Sequence, residues 1–319
     1  MSSTAAPALP RPLDPAKFLD PLTTARGERR ARVALAGLRT LWINTGTLCN
    51  LTCRNCYMES SPRNDRLAYI SAAEVAAYLD EIARDGLPTT EIGFTGGEPF
   101  MNPELRTMLA EALERGFTVL VLTNAMAPLR QARAWLAGFR RHGARLRIRV
   151  SLDHHTEAVH EAERGPGSWA PSIEGLRWLT EAGFAVEIAG RRFTAETEAE
   201  LRAGYAALFA SIGVTIEATD PVALTIFPEM DATADVAEIT EACWGILNRS
   251  PDEMMCASAR MIVKRKDAAR PAVLACTLLP YDPRFELGAT LAEAAAPVAL
   301  NHPHCARFCV LGGGACSRS

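Results

Sequence analysis

From residue 39 to about 228 the chain alternates short apolar runs with amphipathic stretches, a rhythm that predicts strand and helix in turn. L-W-I-N-T (41–45) reads as a strand. Ser71 with Glu74 forms a capping box, Val75, Tyr78, Leu79 and Ile82 follow at helical spacing, and Gly86 closes the helix. E-I-G-F-T (91–95) is the next strand. Asn102 and Pro103 then open a helix through Leu105, Met108, Leu109 and Leu113, stopped at Gly116. F-T-V-L-V-L-T (117–123) is almost continuously apolar, as suits a strand buried on both faces. Pro128 begins a helix with Leu129, Ala132, Leu136 and Phe139 on one side, and L-R-I-R-V-S-L (146–152) alternates like a strand. A helix from Pro171 to Ala182, a strand at 184–189, a helix near 195–211 and a strand at 222–227 complete about six β/α units.

This alternation predicts an α/β fold with a parallel sheet and right-handed crossovers. Such a chain either curls into a barrel, here a partial (β/α)6 TIM-like one, or spreads as an open doubly wound sheet. After Pro228 the rhythm changes. A short helix holds Cys243 and Trp244, residues 260–265 and 271–276 form a hairpin pattern, and the remainder is loop-rich. The expected division is an irregular lead-in at 1–38, a core at 39–230 and a small cysteine-rich C-terminal extension at 231–319.

Composition narrows the classes. The 319 residues are 48% hydrophobic and 22% charged, enough for a full core. A net charge of −3 gives no reason to expect a nucleic-acid or anionic-membrane partner. No apolar run approaches the ~20 residues that span a bilayer, and proline interrupts the N-terminus where a signal peptide has its apolar core. A cytoplasmic protein is expected. In a reducing compartment its nine cysteines point to metal or catalysis rather than disulfides.

Cys49, Cys53 and Cys56, spaced C-x3-C-x2-C after the first strand, can hold three corners of a metal centre and leave one corner open. Thiolate ligation selects iron–sulfur or zinc chemistry. Other polar residues fall at the following strand ends: Gly96, Gly97 and Glu98 after the second, Thr123 and Asn124 after the third, Ser151 and Asp153 at the fourth, Arg191 and Arg192 at the fifth. Ligands in parallel α/β folds sit at the carboxyl ends of strands, so these groups converge on one mouth. Strand-end capping for Ser151 and Asp153, and a solvated ion pair for Arg191, are the ordinary alternatives. His154, His155 and His160 lie in a charged loop and helix start that reads as solvated surface, and Cys243 reads as core packing.

C-N-L-T-C-R-N-C-Y followed by F-T-G-G-E-P resembles, in order and separation, the radical S-adenosylmethionine (SAM) superfamily. The resemblance implies that Cys49, Cys53 and Cys56 ligate a 4Fe–4S cluster whose fourth iron takes SAM. It implies Gly96, Gly97 and Glu98 beside the methionyl amine, Ser151 and Asp153 near the ribose or carboxylate, and Arg191 near the carboxylate, with Asn124 also in the cofactor-binding set. Asn55 stands where many relatives have an aromatic residue, and Tyr57 is the candidate to take that place against the adenine. A reductant such as flavodoxin or ferredoxin is the implied redox partner.

The tail, with Cys276, an L-G-x-x-L turn and Cys305, Cys309 and Cys316, resembles the SPASM or shortened twitch extensions of radical SAM maturases. By that resemblance these four cysteines hold one auxiliary 4Fe–4S cluster, with Cys256 a substitute for one of them. A four-cysteine zinc site, which His302 and His304 could also enter, is the competing reading. The function implied is reductive SAM cleavage and hydrogen abstraction from a small-molecule or peptide substrate. The alternatives are a glycyl-radical activating enzyme and a non-catalytic metal-binding scaffold or electron carrier.

Overall fold

A two-residue strand, β1 (Arg32–Val33), precedes β2 (Thr40–Asn44), whose five residues are all buried. In the computed structural model, which describes residues 11–314, α1 (Ala72–Arg84) follows from the capping box: Ser71 accepts from the Glu74 N–H and Glu74 accepts from the Ser71 N–H. The chain continues through β3 (Glu91–Thr95), α2 (Leu105–Glu114), β4 (Thr118–Thr123), α3 (Ala127–Leu136) and β5 (Leu146–Ser151). Two helices, α4 (Glu157–Arg164) and α5 (Trp169–Glu181), lead to β6 (Ala185–Arg192), then α6 (Glu198–Ile212) and β7 (Leu224–Pro228). The cysteine-rich part contributes β8 (Ala259–Val263), β9 (Ala272–Leu274), β10 (Glu286–Gly288) and β11 (Val298–Ala299).

Nine strands form one sheet in the order β10-β9-β8-β2-β3-β4-β5-β6-β7. Strands β2 to β7 are parallel neighbours in sequence order, the six β/α units read from the pattern. The sheet is open, with β7 and β10 at its edges.

Which way the sheet curls follows from its two faces. Leu41 and Ile43 of β2, Val119 and Val121 of β4, and Ile148 and Val150 of β5 belong to one hydrophobic cluster. The buried stripes of α1, α2, α3, α5 and α6 join the same cluster. The other face carries Trp42 and Leu120, which pack with the C-terminal segment, including Cys256, Cys305 and Phe308. A doubly wound sheet has helices on both faces; here they cover one, as in a partial barrel, and residues beyond 250 line the concave side. The alternation in β5 places Arg149 and Ser151 on that side too, with Arg149 paired to Glu187 at 2.7 Å.

The hairpin β8–β9 forms with Met261 opposite Leu274. It does not stand apart from the parallel strands, because β8 pairs in parallel with β2, Leu41 opposite Arg260. Strand β2 is thus buried on both faces and flanked on both edges.

Candidate active site

The loop that follows β2 carries the three cysteines, and the segment after β3 holds that loop in place. Gly97 N–H donates to Gly46 O at 2.8 Å and Glu98 N–H to Leu48 O at 3.1 Å, extending the β2–β3 pairing past the strand ends. This close approach explains both glycines. A Cβ on Gly96, whose φ is +134°, would meet Gly46 O at 2.5 Å, and one on Gly97 would meet the Leu48 carbonyl carbon at 2.6 Å and Thr47 O at 2.8 Å. The need for glycine here comes from the cysteine loop itself.

Glu98 is 1% exposed, and its carboxylate accepts from Thr123 Oγ1 (2.8 Å), the Asn124 N–H (2.9 Å) and the Phe100 N–H (3.2 Å). Asn124 Nδ2 in turn donates to Asn50 Oδ1 at 2.9 Å and points at Cys49 Sγ at 3.9 Å. The ends of β3 and β4 are thereby tied to the first cysteine. Burial pushes the Glu98 carboxyl up to about 7, against the pull of those donors. The folded protein therefore holds this proton more tightly than the unfolded chain. The resulting stabilisation is complete below the ordinary value of 4.5 and is lost as pH rises to about 7. We expect the thermal midpoint of the metal-free protein to fall across that window, and the fall to shrink in Glu98→Gln. Identical slopes in the two proteins would refute the assignment.

Burial drives the Cys49 thiol up to about 12, with the Glu98 charge adding to it. Cys53 is also raised, by burial first, while Arg164 pulls it back. Thiols in this state do not ionise without a cation, and a metal supplies one. The donors are three soft sulfurs with an arginine beside them, a set suited to an iron–sulfur cluster.

Arg164 was not legible in the sequence. It ends α4, and its Nε and Nη2 reach Asp153 Oδ2 and Oδ1 at 2.9 and 3.1 Å. Burial alone would lower Arg164, yet Asp153 and then the Cys53 thiol raise it overall. Burial would likewise raise Asp153, and Arg164 holds it below the usual carboxylate range. The neighbouring Glu163 accepts from Asn55 Nδ2 at 2.9 Å and from Arg191 Nη1 at 3.2 Å, and its carbonyl accepts from the Arg54 N–H. Asn55, the position that departs from the aromatic pattern, thus staples the cysteine loop to α4.

The histidines of this region are not solvated surface. His160 is fully buried against Trp169, and burial followed by the Arg164 charge lowers it to about 4. His154 is 2% exposed and accepts at Nδ1 from the Thr156 N–H, so its Nε2 carries the proton and donates to Glu196 at 2.7 Å. His155 Nε2 donates to the other oxygen of Glu196 at 2.9 Å. This clamp pins the segment before α6 to the end of β5.

A cavity of about 160 Å³ opens among these strand ends. Cys49, Cys53 and Cys56 line it, together with Tyr57, Gly96, Gly97, Asn124, Ser151, Asp153 and Arg191. Arg164, Phe227 and Met230 also line it, whereas Glu98 is buried and does not reach the cavity surface. At the other cysteines, Cys256 is the middle residue of a short turn, Met255–Ala257, before β8, Cys276 follows β9, and Cys305 and Cys309 lie four apart on one helical segment, Cys305–Leu311. Burial, then the nearby Cys276 and Cys256 thiols, raises Cys305 well above its ordinary value. Cys316 lies outside the described residues.

The family model of the radical SAM superfamily matches residues 43–202, half of the chain. The chain belongs to the radical SAM superfamily. Membership brings the enzyme class and the 4Fe–4S and SAM chemistry that define it. Among curated relatives, the antilisterial bacteriocin subtilosin biosynthesis protein AlbA of Bacillus subtilis (strain 168) is 31% identical over 142 residues, 44% of this chain and 30% of AlbA. GTP 3',8-cyclase of Rhodococcus opacus (strain B4) is 33% identical over 162 residues, 50% of this chain and 43% of the cyclase. The radical SAM chain thus spans less than half the length of these relatives. SuiB of Streptococcus suis, solved with S-adenosylmethionine, has a TM-score of 0.57 at 14% identity, covering 80% of this chain and 64% of SuiB. That likeness is one of fold. No helix among the described residues is long and apolar enough to cross a membrane.

Proposed function

We propose that this chain cleaves SAM reductively at a cluster held by Cys49, Cys53 and Cys56, and abstracts hydrogen from a small-molecule or peptide substrate. The observation that carries the reading is the single cavity shared by those cysteines and seven further residues of the cofactor-binding set. When bound, the cluster supplies the electron that breaks the S–C5′ bond of SAM, giving the 5′-deoxyadenosyl radical. The protein's own task is to position, charge and dry the site. Gly96 and Gly97 bring backbone to the cavity wall, while Ser151 and Arg191 offer polar groups at the ends of β5 and β6. Arg164, held by Asp153, sets a fixed cation beside Cys53, where it favours the thiolates and an anionic ligand group. Phe227 and Met230 add apolar surface to the cavity lining.

Residues 231–319 form, in this reading, an auxiliary unit that holds a second iron–sulfur cluster on Cys276, Cys305, Cys309 and Cys316, with Cys256 a substitute for one of them. A peptide substrate is supported by the bacteriocin role in the name of AlbA, and a small molecule by that of the GTP cyclase. Flavodoxin or ferredoxin is the expected reductant class. Anaerobic reconstitution should yield about eight irons per chain, and SAM with dithionite should then release 5′-deoxyadenosine. Zinc in place of iron, or intact SAM under those conditions, would remove the proposal.

A further inference from the structure

Glu163 lies at the end of α4 and is 6% exposed, and one of its carboxylate oxygens serves two sides of the cavity. Oε2 accepts from Asn55 Nδ2 at 2.9 Å and from Arg191 Nη1 at 3.2 Å. Asn55 stands between Cys53 and Cys56, Arg191 is on β6, and both line the cavity. Backbone bonds fix the ends of this bridge. The Arg54 N–H donates to Glu163 O at 2.8 Å, and the Arg191 N–H to Asp153 O at 3.1 Å.

Arg191 retains two donors. Its Nε and Nη2 are buried and make no hydrogen bond among the described residues. Glu229 Oε1 stands 3.5 Å from Nη2, beyond the usual hydrogen-bond range. The guanidinium carbon sits over the Phe193 ring, 5.2 Å from its centroid, which restrains its orientation further. Buried donors without an acceptor are costly, and the guanidinium fork matches the two oxygens of a carboxylate. SAM carries one anionic group, and it is a carboxylate. An aromatic residue at position 55 would have no amide to donate to Glu163, so the bridge exists because asparagine stands there.

We propose that Glu163 is a positioning residue for cofactor binding: shared by Asn55 and Arg191, it lets the cysteine loop aim the Arg191 guanidinium at the carboxylate of SAM. This rests on the reading that SAM occupies the cavity. Ordering a long arginine side chain costs entropy, and the bridge meets that cost before the ligand arrives. Arg191 touches the ligand; Glu163 and Asn55 act through it.

The test is equilibrium dialysis of the anaerobically reconstituted full chain with its cluster left oxidised, so that no ligand is cleaved. The probes are SAM and its decarboxylated form, which lacks only the carboxylate. Glu163→Ala and Arg191→Met should each weaken SAM binding about tenfold and that of the decarboxylated ligand less than about twofold. The double variant should bind SAM no more weakly than Arg191→Met alone, because both changes remove the same contact. Glu163→Gln, whose amide oxygen still accepts from both partners, should stay within about threefold of the unsubstituted protein. Asn55→Leu cuts only the loop's bond and should weaken SAM about threefold while sparing the decarboxylated ligand, so the test survives a poorly loading Glu163→Ala. Equal weakening of the two ligands, additive losses in the double variant, or loss of iron from both Glu163→Ala and Asn55→Leu would reduce the bridge to a brace and overturn the role of Glu163 alone. An unsubstituted protein that takes up no iron, or binds neither ligand, overturns the SAM reading and this proposal together.

Discussion

Cys53→Ala is expected to abolish 5′-deoxyadenosine formation while leaving the C-terminal iron in place. Cys53 lines the cavity with Cys49 and Cys56, and the loop supplies no other thiol to replace it. Two thiols cannot hold a cube that already has one corner open. The same change also strips Arg164 of one of the anionic groups that face it. Iron should fall from about eight to about four per chain, counted together with labile sulfide, and SAM turnover should drop below detection. Because Cys256, Cys276 and Cys305 are not among the residues lining that cavity, the remaining iron should keep its spectrum. Complete loss of iron would show that the two cysteine groups do not load independently.

The second large effect concerns a residue with no side chain. Gly97→Ala should destabilise the protein by about 3 kcal/mol or more and prevent cluster loading. The added methyl would lie within 2.8 Å of three backbone atoms, among them the Thr47 carbonyl oxygen and the Leu48 carbonyl carbon. Backbone held by hydrogen bonds cannot retreat as a flexible side chain can. Relief requires moving the cysteine loop away from β3, which breaks the Gly97–Gly46 and Glu98–Leu48 bonds and displaces Cys49. Gly138→Ala is the matched control, since its Cβ would enter open space, and it should stay within about 0.5 kcal/mol. Denaturant midpoints with unchanged slopes would measure both. Equal midpoints would mean that the loop yields more easily than its hydrogen bonding indicates.

Much of the barrel was legible because its strands announce themselves. β2, β3 and β4 are apolar runs buried on both faces, and the capping box at Ser71 started α1 where it was expected. Placement at strand ends was enough to gather the cysteines, the two glycines, Asn124, Ser151, Asp153 and Arg191 around one cavity. Helix α4 escaped notice for a physical reason. Its buried residues are His160 and Glu163, polar groups that a hydrophobic period does not detect, so the pattern marks neither Arg164 nor the burial of the histidines. A lone arginine in H-E-A-E-R carries no mark of burial; only the convergence with Asp153 reveals it. The pairing of β8 with β2 was hidden for another reason. Parallel pairing across more than two hundred residues leaves no local trace, and Arg260 inside R-M-I-V-K-R looks like one half of a solvated alternation.

Strands β2 and β8 run side by side in the same direction, with Cys49 beyond the far end of one and Cys256 before the near end of the other. About five residues of strand, roughly 16 Å at ~3.3 Å per residue, lie between the two turns, and Trp42 stands in the middle of that span. Metal centres built on those turns would communicate by electron tunnelling through the sheet and not by handing over a shared ligand.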